Sequence, residues 1–181
     1  IGRAGIGVDN VDIPAATEMG VIVMNTPDAN ATTTAELTIA HLMSLSRHLP
    51  AADQSVRAGK WERSKYTGSE VAQKTLGVVG FGTIGRLVAS RAAVLKMKVV
   101  AFDPFVSPEI YADLGVESVS LENLITSADY ITLHCPLIEK TRNIIGAAQF
   151  EKMKSNAMLI NCARGGLIDE VALYDALKNK K

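Results

Sequence analysis

Gly80-Phe81-Gly82-Thr83-Ile84-Gly85 sets three glycines at G-x-G-x-x-G spacing, between the apolar run Leu76–Val79 and a helical pattern. Backbone amides at the start of a helix, unobstructed by side chains, suit the pyrophosphate of a dinucleotide. Gly80 would permit the tight turn, Gly82 the approach of the phosphate, and Gly85 close packing of helix on strand. The spacing alone also fits an ordinary glycine-rich turn; its place between strand and helix favours the cradle. Asp103 lies 23 residues beyond Gly80, at the end of the next apolar run. A carboxylate there can accept from both ribose hydroxyls of NAD, and Pro104 and Phe105 offer no cation for the extra phosphate of NADP. The competing reading is an Asp that caps the turn before Pro104. Arg164 follows a third run, Met158–Asn161. Its guanidinium is a planar fork for a substrate carboxylate and can polarise an adjacent carbonyl, which makes it the candidate catalytic residue. The bland alternative is a surface pair with Asp169 or Glu170.

These residues need a sheet whose strand ends converge. Short apolar runs at Leu76–Gly80, Val99–Phe102, Tyr130–His134 and Met158–Asn161 alternate with helical patterns. The helices are expected near Ile84–Leu95, Ser107–Leu114, Leu121–Ser127, Ala147–Lys152 and Glu170–Lys178. That alternation predicts a parallel sheet covered on both faces, with four strands and a short fifth at Val116–Val119. A complete dinucleotide-binding sheet has six strands, so at least one βα unit is expected to be missing.

Before Leu76 the pattern changes. Ile1–Gly5, a helix at Ile13–Met19 and a strand at Val21–Asn25 read as the end of a separate α/β unit, joined through the turn-rich 26–30 segment. Thr33-x-x-Glu36 fits a capping box opening a helix to about Leu49. Its apolar residues fall around most of the circumference, so the sequence predicts burial between domains or in a subunit interface.

Across 181 residues, 19 basic side chains balance 19 acidic ones. No segment carries the basic excess that nucleic acid or an anionic membrane would select. Cys135 and Cys162 stand outside any Cys/His cluster with metal-ligand spacing, so no metal site is expected and a reducing, cytoplasmic setting is. No apolar run reaches transmembrane length. The chain opens on Ile1 in a strand-like run and stops at a helical end, which reads as a piece of something longer.

Arg3-Ala-Gly-Ile-Gly-Val-Asp-Asn-Val-Asp12, Asn25-Thr-Pro27 with Ala35-Glu36, Gly59-Lys-Trp-Glu-Arg63 and Asn161-Cys-Ala-Arg-Gly-Gly166 occur in this order. Together with the glycine loop they resemble the D-2-hydroxyacid dehydrogenases. The resemblance implies a Rossmann-like doubly wound parallel sheet, truncated, in residues 28–181. It makes residues 1–27 the end of a flavodoxin-like substrate domain. It implies NAD as cofactor, with Thr83 and Ile84 at the pyrophosphate, Cys135 and Pro136 beside the adenosine half, and Cys162, Ala163 and Arg164 near the nicotinamide. Thr83 and Cys135 stand where relatives often have Arg and Thr, which removes a cation and a hydroxyl. Ile6 replaces a frequent Thr and would touch cofactor through backbone or apolar contact.

Gly5, Ile6, Gly7 and Asn30 resemble the parts that hold the substrate carboxylate and neighbouring oxygens; a glycine-rich strand end is the alternative for the loop. Arg63, beside Trp61, matches a segment near the family's dimer interface, so a homodimer or higher homo-oligomer is implied; Arg63 could reach a phosphate in the partner's site, but a solvated basic loop is the favoured reading. The implied reaction moves a hydride between C2 of a D-2-hydroxy acid and the nicotinamide, first of all D-3-phosphoglycerate to 3-phosphohydroxypyruvate, as in serine biosynthesis. Glycerate or hydroxypyruvate are alternative substrates, and an NADH-sensing interaction protein is the alternative class. The family's acid/base His and its Glu partner follow later strands than those here. His41, His48 and His134 match neither, so residues 1–181 are expected to bind NAD without turnover.

Overall fold

A computed structural model describes residues 1–179; Lys180 and Lys181, the last two of the expected nucleotide unit, lie outside the described residues. Five strands form one parallel sheet: β3 (Thr75–Val79), β4 (Lys98–Phe102), β5 (Glu117–Ser118), β6 (Tyr130–Leu133) and β7 (Met158–Asn161), in the spatial order β5-β4-β3-β6-β7. Val79 pairs with Phe102 and with Leu133, and Leu133 with Asn161, so β4, β3, β6 and β7 end level with one another. The chain reverses its direction of travel across the sheet between β3 and β6, the place where such sheets open a crevice at their carboxyl ends.

The strands alternate between two cores. Leu76, Val78 and Tyr130 belong to one, with the helix α4 (Thr83–Val94). Val79, Ile131 and Leu133 belong to the other, with α6 (Leu121–Ser127). This is the period of two that a strand buried on both faces requires. Helices α5 (Pro108–Asp113), α7 (Ala147–Lys152) and α8 (Glu170–Lys178) complete the connections. The helices α6, α7 and α8 fall on the predicted ranges.

The amino ends of the strands are fastened by one carboxylate. Asp129 accepts from the Thr75 amide through Oδ2 and from Lys154 Nζ through Oδ1, each at 2.8 Å, joining β3, β6 and the turn before β7. Burial alone would raise the Asp129 carboxyl, but the Lys154 and Thr75 hydrogen bonds and the Lys154 and Lys74 charges outweigh it and hold it below its ordinary value.

The first residues form a separate two-stranded parallel sheet, β1 (Gly2–Arg3) with β2 (Met24–Asn25), connected by α1 (Ile13–Glu18). Asp12 caps α1 by accepting from the Ala15 amide at 3.0 Å. These strands are shorter than predicted; beyond their ends the Gly5 amide donates to the Thr26 hydroxyl and its carbonyl accepts from the Thr26 amide.

The long helix corrects the sequence reading at its two ends. Helix α2 (Ala31–Arg47) begins at Asn30, not at a Thr33 capping box. It ends at His48, whose φ of 53° turns the chain into a second helix, α3 (Leu49–Arg57). Only one stripe is buried, through Ala31, Ala35, Thr38, Leu42 and Ser46, against α4 and β7. Leu37 and Leu45 on the far side are 50% and 42% exposed. The buried Ser46 hydroxyl donates to the Leu42 carbonyl and accepts from the Tyr130 hydroxyl at 2.9 Å, which ties α2 to β6.

Candidate active site

The glycine loop is shaped by what presses on it. Gly80 has φ of +92°, and a Cβ there would lie 2.6 Å from the amide nitrogen of Cys135, so the chain leaving β6 closes on the turn. At Gly85 a Cβ would lie 2.2 Å from the Gly80 carbonyl oxygen, so α4 sits too near the strand for any side chain. Gly82 caps α4 with no side-chain hydrogen bond, and nothing lies within 4 Å of where its Cβ would be. The first-turn amides of a twelve-residue helix thus face open space, the arrangement a pyrophosphate needs. These features fit a dinucleotide.

For Asp103 the structure shows the capping reading. Its Oδ2 accepts from the Phe81 amide at 2.8 Å and its Oδ1 from the Phe105 amide at 2.9 Å, so it braces the glycine loop and caps its own turn. Each oxygen keeps a lone pair for a ribose hydroxyl. Beneath it, Phe81 and Tyr111 stack with centroids 4.7 Å apart, and the Tyr111 hydroxyl donates to the Asp103 carbonyl at 3.1 Å.

A cleft of about 410 Å³ opens at the carboxyl ends of β3, β6 and β7. Gly82, Thr83 and Ile84 form one wall, Cys135 and Pro136 another, and Cys162, Ala163 and Arg164 a third. Ile6, Gly7 and Asn30 close it from the side of the small sheet. Gly80, Gly85 and Asp103 shape the loop from behind without lining this space. Gly5 is a correction: Thr26 consumes both its main-chain groups, so its amide is not free for a substrate carboxylate. A larger cleft of about 690 Å³ lies at the opposite ends of the strands, around Thr75, Lys98 and Asn123. Ligands of parallel sheets bind at the carboxyl end, so the smaller cleft is the candidate site.

Three lining groups escaped the sequence reading. Pro27 and Asp28 lie in the joint before α2, and Thr34 lies in its first turn. Asn30 at the helix start would have been their signal, since its side chain makes no capping bond and faces the same space. His134 also lines the cleft. Its ring hydrogen-bonds with the Thr132 hydroxyl at 2.9 Å, and burial lowers its pKa to about 4, so it is neutral near pH 7. Burial raises the Cys135 thiol, with the Asp103 charge adding to the effect, so it stays protonated at neutral pH.

Arg164 pairs with neither Asp169 nor Glu170. Asp169 instead caps α8, accepting from the Val171 and Ala172 amides. Arg164 Nε donates to Asp9 Oδ2 at 2.8 Å, across 155 residues of sequence.

Residues 39–181 match the description "D-isomer specific 2-hydroxyacid dehydrogenase, NAD binding domain". The D-3-phosphoglycerate dehydrogenase of Methanocaldococcus jannaschii is 50% identical over the whole chain, which covers 35% of that relative. D-lactate dehydrogenase from Escherichia coli superposes with a TM-score of 0.89 at 36% identity, covering 99% of this chain and 57% of that one. The enzyme from Aquifex aeolicus, complexed with NAD and lactic acid, gives 0.89 at 30% identity, covering 99% and 55%. The chain belongs to the D-isomer specific 2-hydroxyacid dehydrogenases, and residues 39–181 are their NAD-binding domain. It spans about a third of the length of the curated relatives it matches.

Proposed function

We propose that residues 1–181 form the cofactor-holding part of an enzyme that oxidises D-3-phosphoglycerate to 3-phosphohydroxypyruvate. The observation that carries this reading is the convergence of the uncapped α4 start and Arg164 on one cleft. The 50% identity to a D-3-phosphoglycerate dehydrogenase supports the choice of acid. Residues 1–27 then belong to the substrate domain and residues 28–181 to the nucleotide domain.

The α4 amides and Asp103 hold the two ends of the adenosine diphosphate, with Thr83 and Ile84 at the pyrophosphate and Cys135 and Pro136 flanking the adenosine. Cys162, Ala163 and Ile6 bound the space for the nicotinamide, which when bound supplies the acceptor for the C2 hydride. Arg164 receives the substrate carboxylate and polarises the oxygen on C2, while Gly7 and Asn30 border the acid. His134, neutral and engaged by Thr132, does not move the hydroxyl proton. That proton needs a base from outside these residues, so this segment alone binds NAD(H) without turnover. Leu37, His41 and Leu45 form one exposed stripe on α2, and Trp61 is 83% exposed; a second copy of the chain covers them.

Two measurements test the reading. Calorimetric titration of residues 1–181 with NADH should show one site per chain, and in a separate assay with NAD+ and D-3-phosphoglycerate no rise in absorbance at 340 nm should follow. The whole protein should oxidise D-3-phosphoglycerate and leave glycerate and D-lactate untouched. Steady turnover by residues 1–181, or preference for lactate by the whole protein, overturns it.

A further inference from the structure

The Arg164 guanidinium is held from two loops at once, the one after β1 and its own after β7. Nε donates to Asp9 Oδ2 at 2.8 Å, and Nη1 donates to the Ala163 carbonyl at 2.9 Å. Nη2 lies over Gly7, where a Cβ would fall 2.1 Å from it and 3.0 Å from Asp9 Oδ2. The turn that carries Arg164 is set by Asn161, whose Nδ2 donates to the Arg164 carbonyl and whose Oδ1 accepts from the Ala163 amide.

We propose that Asp9 is the positioning residue of Arg164: it takes the single N–H of Nε and turns the Nη tip of the guanidinium toward the substrate carboxylate. This rests on the role given to Arg164 above. Five N–H donors sit on a guanidinium. Asp9 consumes the one on Nε and Ala163 one on Nη1, which leaves the remaining donors at the tip. A carboxylate then enters by the tip, because the Nε edge already holds a negative charge. Gly7 is the surface on which the tip rests, which gives a steric reason for glycine there. Stability does not explain the pair. Its side chains are 38% and 65% exposed, and pairs so open to water contribute little to stability. A small misplacement of a substrate-positioning group, by contrast, costs up to about a hundredfold in rate.

The test uses the whole protein with Asp9→Ala, Asp9→Asn and Arg164→Ala. It reads kcat and KM for D-3-phosphoglycerate, the NADH dissociation constant, the melting temperature, and the rate at which phenylglyoxal labels Arg164 by peptide mass spectrometry. Asp9→Ala should lower kcat/KM by roughly ten- to a hundredfold. NADH affinity should stay within about twofold, and Arg164 should label several-fold faster. Asp9→Asn, which keeps an acceptor without the charge, should fall between wild type and Asp9→Ala. Wild-type kinetics and labelling in Asp9→Ala, with Arg164→Ala inactive, overturn the positioning role alone. Loss of NADH affinity in step with activity also overturns it, since that marks a structural effect. Full activity in Arg164→Ala overturns the proposed function instead. The labelling rate does not depend on which acid is oxidised, and Asp9→Asn decides the matter if Asp9→Ala fails to fold.

Discussion

Gly85 shows how little room the cofactor loop leaves. A methyl group there would sit 2.2 Å from the Gly80 carbonyl oxygen and 3.2 Å from Val78 Cγ1. Neither neighbour can step aside, since Gly80 is itself pressed by the chain after β6. Gly85→Ala should therefore push α4 off β3, lower stability by about 1–3 kcal/mol and weaken NADH binding by at least tenfold. Urea midpoints and calorimetric titration check both effects. The glycine spacing was legible because the contact between Gly80 and Gly85 is local, within six residues and one strand–helix turn. The Asp9–Arg164 contact was not, since 155 residues separate its ends and nothing near either residue signals the other. Gly5 failed for a related reason. Its amide is spent on Thr26, a partner 21 residues away that only the folded small sheet brings close.

Among the elements, α2 illustrates what periodicity misses. Its sequence is apolar on several sides, yet only the stripe through Ala35, Thr38, Leu42 and Ser46 is covered within the chain. Two of those four are hydroxyl residues, so a count of apolar positions does not by itself mark the face that packs on α4 and β7. The break at His48 was equally hidden, because a non-glycine residue with positive φ is uncommon and no glycine marks the turn. The central strands were readable for the opposite reason: buried on both faces, they appear as unbroken apolar runs whose ends fall near the observed ones. Ser46 has a measurable role in this assembly. Ser46→Ala would leave the buried Tyr130 hydroxyl without its acceptor at a cost of about 1–3 kcal/mol, and the double change with Tyr130→Phe should recover part of the loss. Denaturant titration of the single and double variants checks this.

The whole molecule is held at its two ends by different chemistry, and pH separates them. At the carboxyl ends the strands open into the cleft with His134 buried and neutral. A His whose folded pKa is depressed to about 4 binds fewer protons than the unfolded chain between that value and about 6.5. Folding stability therefore declines as pH falls through that window. At the amino ends Asp129 is lowered, so its contribution is complete above its unfolded pKa of about 3.9 and disappears as pH drops through the folded value. Asp129→Asn keeps an acceptor for the Thr75 amide and removes the charge facing Lys154. With Asp129 16% and Lys154 38% exposed, the loss should be about 1–2 kcal/mol at pH 7. Urea midpoints of wild type and variant from pH 3 to 8 should run parallel above about pH 5 and converge toward pH 3. A constant offset across that range would mean that the ionisation of Asp129 plays no part in fastening the strands.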